Sequence, residues 1–378
     1  MSKILYAASV PIHLQNFHVP YIDALVARGD RVWVLCSGQY RQNGIEGSFD
    51  LPMKKDMLSP VNLLSAFRAA KLLKKERFDL ICVHTSLAAF VVRLAVLLAG
   101  KGETRVVNVV HGYLFDKDTN LLRRLLLLGA ERVLRGVTDR VAVMNRCDRE
   151  IAEKHHLGKE IVAIPGVGVD FSRFSDGDRA GFRRELRLKE DDLLLLFPGE
   201  FSGRKNQAFL IRALDKMPGN ICLALPGQGQ CLDACRELAE KEGVANRVFF
   251  PGQLRDLSDW YAAADICVSS SRYEGLPFNV MEGMHAGKPI VATRVKGHTD
   301  LVTDGVGGFL YGWNDREEFC DCIRILAGDR ELRRIMGEKN RALVQRYGRE
   351  RVFRQVLEAM TADTLPAADG EKKETVGV

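Results

Sequence analysis

Two glutamates eight positions apart, Glu274 and Glu282, stand in the segment YEGLPFNVMEGMHAGKPIVAT, which runs from Tyr273 to Thr293. The apolar run Ile266 to Ser269 leads into it as a strand, and the residues after Pro277 read as a helix. A strand, a tight loop and a helix in that order turn the first amides of the helix outward, beyond the sheet. Such amides lack carbonyl partners within the helix and lie at the positive end of its dipole, so they favour phosphate oxygens. Gly275 permits close backbone approach, and Pro277 suits the first helical turn. Glu282 falls about a turn and a half into the helix. There a carboxylate can accept two hydrogen bonds from a ribose diol. A lone glutamate is ordinarily a solvated surface residue, but the turn and strand ahead of this one argue for a ligand.

Cations and imidazoles suited to the same chemistry occur elsewhere. The stretch FPGEFSGRKNQAFLIRAL brings Arg204 and Lys205 to a loop that opens a helix, and VVNVVHGYLF sets His111 at the end of an apolar strand, before Gly112. His13 lies in the first strand-to-helix loop. Taken singly, the Arg-Lys pair reads as a solvated helix start and the strand-end histidine as structural.

The pattern EGLPFNVME resembles the double-glutamate signature of the retaining family 4 glycosyltransferases, which have the GT-B fold, and Glu274 and Glu282 match its two glutamates. The resemblance implies that Glu282 binds the nucleotide ribose, while Glu274 and the loop residues Gly275, Leu276, Phe278, Asn279 and Val280 face the donor sugar and diphosphate. It places Lys205 and Arg204 against the leaving diphosphate, with Gly199 in the same donor loop. Many family members carry an arginine directly after that glycine, where this chain has Glu200. The resemblance also sets His111 beside the donor sugar and makes His13 an acceptor-side candidate. Members often have paired glycines in the first loop, where this chain has SVPIH. VKGHTDLVTDGVGGFL and GVGVDFSRF extend the likeness, and HLQNFHVPYIDALVARGDRV resembles the opening of capsular and exopolysaccharide transferases.

Short β-rich apolar runs alternate with helical segments along most of the chain, which predicts parallel sheets covered by helices on both faces. In the first half the strands are expected at Ile4–Ala8, Val32–Cys36, Leu80–Val83, Val106–Val110, Val141–Met144 and Ile161–Ile164. Helices are expected from His13 to Gly29, Asn62 to Lys75 and Leu87 to Ala99. A polar, glycine-bearing stretch near residue 170 then reads as a link. The alternation resumes at Leu193–Phe197, Ile221–Leu225, Val248–Phe250, Ile266–Ser269 and Ile290–Thr293. The expected architecture is therefore α/β, with two Rossmann-like doubly wound domains facing a central cleft. Residues 1–170 form the acceptor-side domain and 171–345 the donor-binding domain; 346–360 form a helix crossing back, and 361–378 a disordered tail. Strand carboxyl ends are where such sheets bind ligands.

At 378 residues, 46% hydrophobic and 28% charged, the chain has the composition of a globular protein with more than one core. Its longest apolar stretch, Leu87 to Ala99, is interrupted by Arg93 and falls short of the roughly 20 residues a spanning helix requires. The opening MSKILYAASV lacks a signal-peptide pattern. Nine scattered cysteines suit reduced thiols rather than a disulfide framework or zinc site. A cytoplasmic protein is expected. Residues 1–170 hold 24 Lys and Arg against 17 Asp and Glu, an excess of seven within a net charge of +6. That asymmetry fits an anionic membrane surface or phosphorylated acceptor as well as it fits a merely soluble basic face. The same two readings apply to TNLLRRLLLLGAERVLRG, with Leu121, Leu125 and Leu128 at helical spacing beside Arg123, Arg124, Arg132 and Arg135.

The reaction implied is transfer of a hexose or N-acetylhexosamine from a nucleotide-diphosphate sugar, UDP by analogy, to an acceptor hydroxyl with retention. The acceptor expected is a lipid-linked glycan in surface polysaccharide assembly. No cofactor, metal or nucleic acid is expected. A nucleotide-sugar 2-epimerase and a non-catalytic nucleotide-sugar sensor are the alternatives. A nicotinamide dehydrogenase is disfavoured because ASVPIHLQ lacks the GxGxxG turn.

Overall fold

A computed structural model describes residues 1–57, 59–117, 119–174 and 176–361. The chain divides into two compact units, one of residues 1–167 with the segment from Phe353 onward, the other of residues 168–352. Each is built on one parallel sheet.

The first unit contains β1 (Lys3–Ala7), β2 (Arg31–Cys36), β3 (Gly47–Asp50), β4 (Leu80–His84), β5 (Arg105–Val110), β6 (Arg140–Val143) and β7 (Glu160–Ala163). Their order across the sheet is β3-β2-β1-β4-β5-β6-β7, every neighbour parallel. The second contains β8 (Leu193–Leu196), β9 (Ile221–Ala224), β10 (Val248–Phe249), β11 (Ile266–Ser269), β12 (Ile290–Thr293) and β13 (Gly308–Tyr311). Its order is β10-β9-β8-β11-β12-β13, again all parallel. Helices cover both faces, so central strands such as β4 and β8 are buried at every residue. That is why they read as unbroken apolar runs rather than alternating ones. In each sheet the chain leaves the centre in opposite directions, between β1 and β4 and between β8 and β11. Crevices open at such switch points, beyond the carboxyl ends of the strands.

The eleven expected strands form, each within one residue of its expected ends. β3 and β13 escape the sequence pattern. Both are edge strands of four residues, GSFD and GFLY, and β3 alternates half-buried with exposed residues instead of forming an apolar run. The helix expected from His13 to Gly29 is two helices, Pro11–Phe17 and Val19–Ala27, which meet at His18. Pro20 accounts for the break, because its ring would clash with the carbonyl four residues back in a continuous helix. The break turns His18 fully inward. Thr361, assigned to the tail, instead ends the Arg349–Thr361 helix, where its hydroxyl donates to the Leu357 carbonyl at 2.8 Å. The rest of the expected tail, 362–378, lies outside the described residues.

Arg93, the charge that interrupts the apolar run, is fully buried in the Ser86–Ala99 helix. Its guanidinium grips both carboxylate oxygens of Glu131 at 2.8 and 2.9 Å, and its Nε donates to the Ala89 carbonyl at 3.0 Å. Removing one partner of a buried pair strands the other charge, at a cost of about 3–5 kcal/mol, whereas an apolar replacement of both is nearly neutral. Glu131→Ala should therefore lower stability in urea unfolding by about that amount. The double change Arg93→Met with Glu131→Leu should recover most of it; equal losses in the two variants would refute this account.

Candidate functional site

At the switch point of the second unit, the loops after β8 and β11 are tied together by one carboxylate. Glu274 is buried, with Lys205 Nζ 2.8 Å from its Oε1 and Arg204 2.7 Å from its Oε2. Burial alone would push the Glu274 carboxyl up, but Lys205 and then Arg204 outweigh it and hold the group down to about 2. Burial pulls the Lys205 ammonium below its usual range, against the attraction of Glu274. The group of three carries a net charge of +1.

Backbone contacts hold these side chains in place. The Ser270 hydroxyl donates to the Lys205 and Asn206 carbonyls at 2.9 and 3.0 Å, and the Arg272 amide donates to the Arg204 carbonyl at 2.8 Å. Lys205 Nζ also lies 5.5 Å from the centre of the Phe197 ring. The β8–β9 ladder continues past the strand ends, with the Gly199 amide donating to the Pro226 carbonyl and the Phe201 amide to Gln228. A Cβ on Gly227 would stand 2.0 Å from the Gly199 carbonyl oxygen, so glycine is obligatory there.

The helix expected after Pro277 runs from Phe278 to His285. It lies hard against β11, because a Cβ on Gly283 would come within 2.7 Å of Cys267 Sγ. Asn279 pins the helix to the β8 loop through its side-chain amide, which donates to the Pro198 carbonyl at 3.0 Å. Leu276 and Val280 bury their side chains. Gly275 is crowded by Gly297, whose Cβ would sit 2.7 Å from the Gly275 carbonyl oxygen. Glu282 accepts a hydrogen bond from the Tyr261 hydroxyl at 2.7 Å through Oε2, which leaves Oε1 for another donor. Burial pushes its carboxyl up, and Tyr261 opposes the shift.

Two partners of this site were not singled out in the sequence. Tyr261 lies 21 residues before Glu282 in an ordinary helical stretch. His298 is fully buried after β12, with Nδ1 2.9 Å from the Thr293 carbonyl and no hydrogen-bond partner at Nε2. Burial lowers its imidazole to about 4 although Glu274 pulls the other way.

His111 and His13 belong to the first unit, and there they meet. Both lie at the carboxyl ends of the central strands, in a cluster with His18 and His84. His18 Nε2 is 3.1 Å from His13 Nε2, and His84 Nδ1 is 3.2 Å from His111 Nε2. Tyr6 Oη lies 2.8 Å from His18 Nδ1, and the Tyr6 ring stacks on His84. Burial lowers all four imidazoles, His13 to about 4. The first unit thus offers neutral nitrogen donors where the second offers charge.

Known proteins resemble both units of the chain. A family model described as "Glycosyl transferases group 1" matches residues 178–343, and one described as "Glycosyltransferase Family 4" matches residues 21–173. The chain is 31% identical to EpsD of Bacillus subtilis strain 168, to which a glycosyltransferase activity is ascribed, over 95% of this chain and 96% of that one. It is 25% identical to an Escherichia coli UDP-Gal:alpha-D-GlcNAc-diphosphoundecaprenol alpha-1,3-galactosyltransferase over 75% and 73% of the two chains. Among solved structures, Anabaena HepE with UDP-glucose has a TM-score of 0.76 at 21% identity, covering 97% of this chain and 100% of that one. WaaG, a glycosyltransferase involved in lipopolysaccharide biosynthesis, has a TM-score of 0.74 at 19% identity, covering 95% and 99%. The fold is GT-B.

The Glu274 ion pairs have a consequence in acid. The folded carboxyl titrates near 2 and the unfolded one near 4.5, so the charged form stabilises the protein fully above about 4.5. That contribution drains away as pH falls through about 2. The stability gap between wild type and Glu274→Gln should be widest above 4.5 and narrow on acidification; a gap independent of pH would refute the assignment.

Proposed function

The chain belongs to the family 4 glycosyltransferases, and on that premise we propose that it moves a hexose or N-acetylhexosamine from a UDP-sugar to an acceptor hydroxyl with retention of configuration. The observation that carries this reading is the buried group of Glu274, Lys205 and Arg204 beside the Phe278–His285 helix. Its surplus positive charge, together with the first-turn amides of Asn279 and Val280, suits a diphosphate whose negative charge grows as the sugar departs. Glu282, steadied by Tyr261, keeps one carboxylate oxygen for the ribose. Donor chemistry of this kind calls for no metal at the diphosphate.

As the glycosidic bond loosens, the sugar becomes oxocarbenium-like and Lys205 and Arg204 take up the charge on the leaving phosphate. No carboxylate is assigned as nucleophile. Retention then follows from attack on the same face, with the leaving phosphate accepting the acceptor's proton. His111 and His13 are the candidates of the first unit, on the donor sugar and on the acceptor side.

A lipid-linked glycan in surface polysaccharide assembly is the proposed acceptor, supported by the diphosphoundecaprenol-linked substrate named for the E. coli relative. Among the described residues no helix is long and apolar enough to cross a membrane. The Leu121–Leu134 helix nevertheless exposes Leu121, Leu122, Leu125 and Leu126 beside Arg123 and Arg124, with Leu122 78% exposed. A helix that merely covered a sheet would turn such leucines inward. We assign this face to an anionic membrane surface on the cytoplasmic side.

Release of UDP from a panel of UDP-sugars, with and without a lipid extract, tests the reaction. Extract-stimulated release from one donor is expected, and binding without release from any would refute transfer. Glu282→Ala should weaken UDP binding roughly 10- to 100-fold, the worth of a charge-assisted hydrogen bond of about 1.5–3 kcal/mol. Lys205→Ala should lower turnover more than donor affinity. A pure affinity loss would make Lys205 a binding residue only. The double variant Leu122→Glu with Leu125→Glu should reduce sedimentation with phosphatidylglycerol vesicles about tenfold or more, since each buried leucine contributes about 1.5–3 kcal/mol. Undiminished sedimentation would remove this helix from the membrane contact.

A further inference from the structure

The histidine cluster of the first unit holds more nitrogen than a sugar-binding role requires. A ring nitrogen from each of His13, His18 and His111 lies within 4.8 Å of the other two. His13 Nε2 and His18 Nε2 face each other at 3.1 Å, so a proton or a cation must lie between these two lone-pair positions. Tetrahedral zinc holds nitrogen at about 2.0–2.1 Å, which sets neighbouring ligand nitrogens roughly 3.3 Å apart. The His13–His18 pair already has that spacing. The third nitrogen can reach it by a movement of about 1.5 Å or less, within the compass of a side-chain torsion.

We propose that His13, His18 and His111 form a binding site for one divalent d-block cation of the zinc class, with a fourth coordination position open to water or a hydroxyl. Three further observations support it. Among the described residues no carboxylate joins the three imidazoles, and an all-imidazole donor set selects zinc, cobalt, nickel or copper over magnesium and calcium. His13 and His111 are only partly buried, so the site is open to an ion from solvent.

The third observation is the outer layer of partners, which metal-ligating histidines commonly have. With His18 ligating through Nε2, its Nδ1–H donates to Tyr6 Oη at 2.8 Å, and the Tyr6 hydroxyl in turn has Met360 Sδ at 3.7 Å as acceptor. His84 stands 3.2 Å from His111, with its own Nε2 3.3 Å from Cys82 Sγ. His18 and His111 therefore each have a neighbour to orient the ring. The inference concerns the first unit alone and does not depend on the donor chemistry of the second.

The test uses the full-length chain without an affinity tag, stripped with a chelator and titrated with Co²⁺, followed by visible d–d absorption and by metal analysis after Zn²⁺ replacement. Saturable uptake of one ion per chain with an intense tetrahedral-type spectrum is expected. His13→Ala, at a partly exposed position, should raise the dissociation constant at least tenfold. Tyr6→Phe and His84→Phe should raise it by about 10- to 100-fold, as loss of an outer partner does. Should His18→Phe fail to fold, His13→Ala still decides. No saturable uptake, or equal uptake by wild type and His13→Ala, would overturn the proposal.

Discussion

A carboxylate cannot stay ionised in a protein interior without partners, and Glu274 is both buried and held ionised. Its two partners come from one loop, after β8, while Glu274 itself belongs to the loop after β11. The ion pairs therefore join the two strands between which the chain reverses direction. Without them the β8 loop would lose one of its tethers and Lys205 would be an unpaired buried ammonium, which costs far more than the pair gains. The Ser270 hydroxyl and the Arg272 amide fasten the same loop from the β11 side. Charge, loop position and the aim of the Phe278–His285 helix are thus one arrangement.

The arrangement also explains how so compact a cationic group avoids collapsing onto its own acid. Lys205 and Arg204 each meet a different oxygen of Glu274, so neither can withdraw without leaving a lone pair unmet. In the proposed donor role, a diphosphate entering beside them would supply further acceptors without requiring the first ion pairs to break. Positive charge fixed before the reaction needs no reorganisation when the leaving group gains negative charge, and this is where preorganised sites obtain most of their effect.

Much of this was legible in the sequence because parallel sheets write themselves as apolar runs. Nine of the eleven expected strands lie inside their sheets with a strand on each side, and their limits fall where the apolar run stops; the edge strands β7 and β10 keep enough apolar residues to read the same way. The edge strands β3 and β13 were hidden because GSFD and GFLY both open on glycine, a poor strand former, and β3 alternates half-buried with exposed residues. Glu274, Glu282, Lys205 and Arg204 were legible as a group through the likeness of EGLPFNVME and FPGEFSGRKNQAFLIRAL to the family pattern, since the Arg-Lys pair taken singly reads as a solvated helix start. Tyr261 and His298 were not, since what makes them partners is proximity across the fold, with no local spacing to mark it. The break at His18 was misread because helical periodicity continues through it. Pro20 was the signal available, acting on the carbonyl four residues earlier.

The same omission concealed the histidine cluster. A continuous helix from His13 to Gly29 would keep His13 and His18 five residues apart on one rod, about 500° around its axis, so they would point in different directions. The break at His18 lets both rings converge with their Nε2 atoms 3.1 Å apart. A single proline thereby changes what the first unit can bind. The positive excess of residues 1–170 resides in lysines and arginines such as Arg123, Arg124 and Arg132, while the carboxyl ends of β1, β4 and β5 gather uncharged imidazoles. Each sheet uses its switch point, but the second fills it with fixed charge for an anion and the first with lone pairs that can take a proton or a cation.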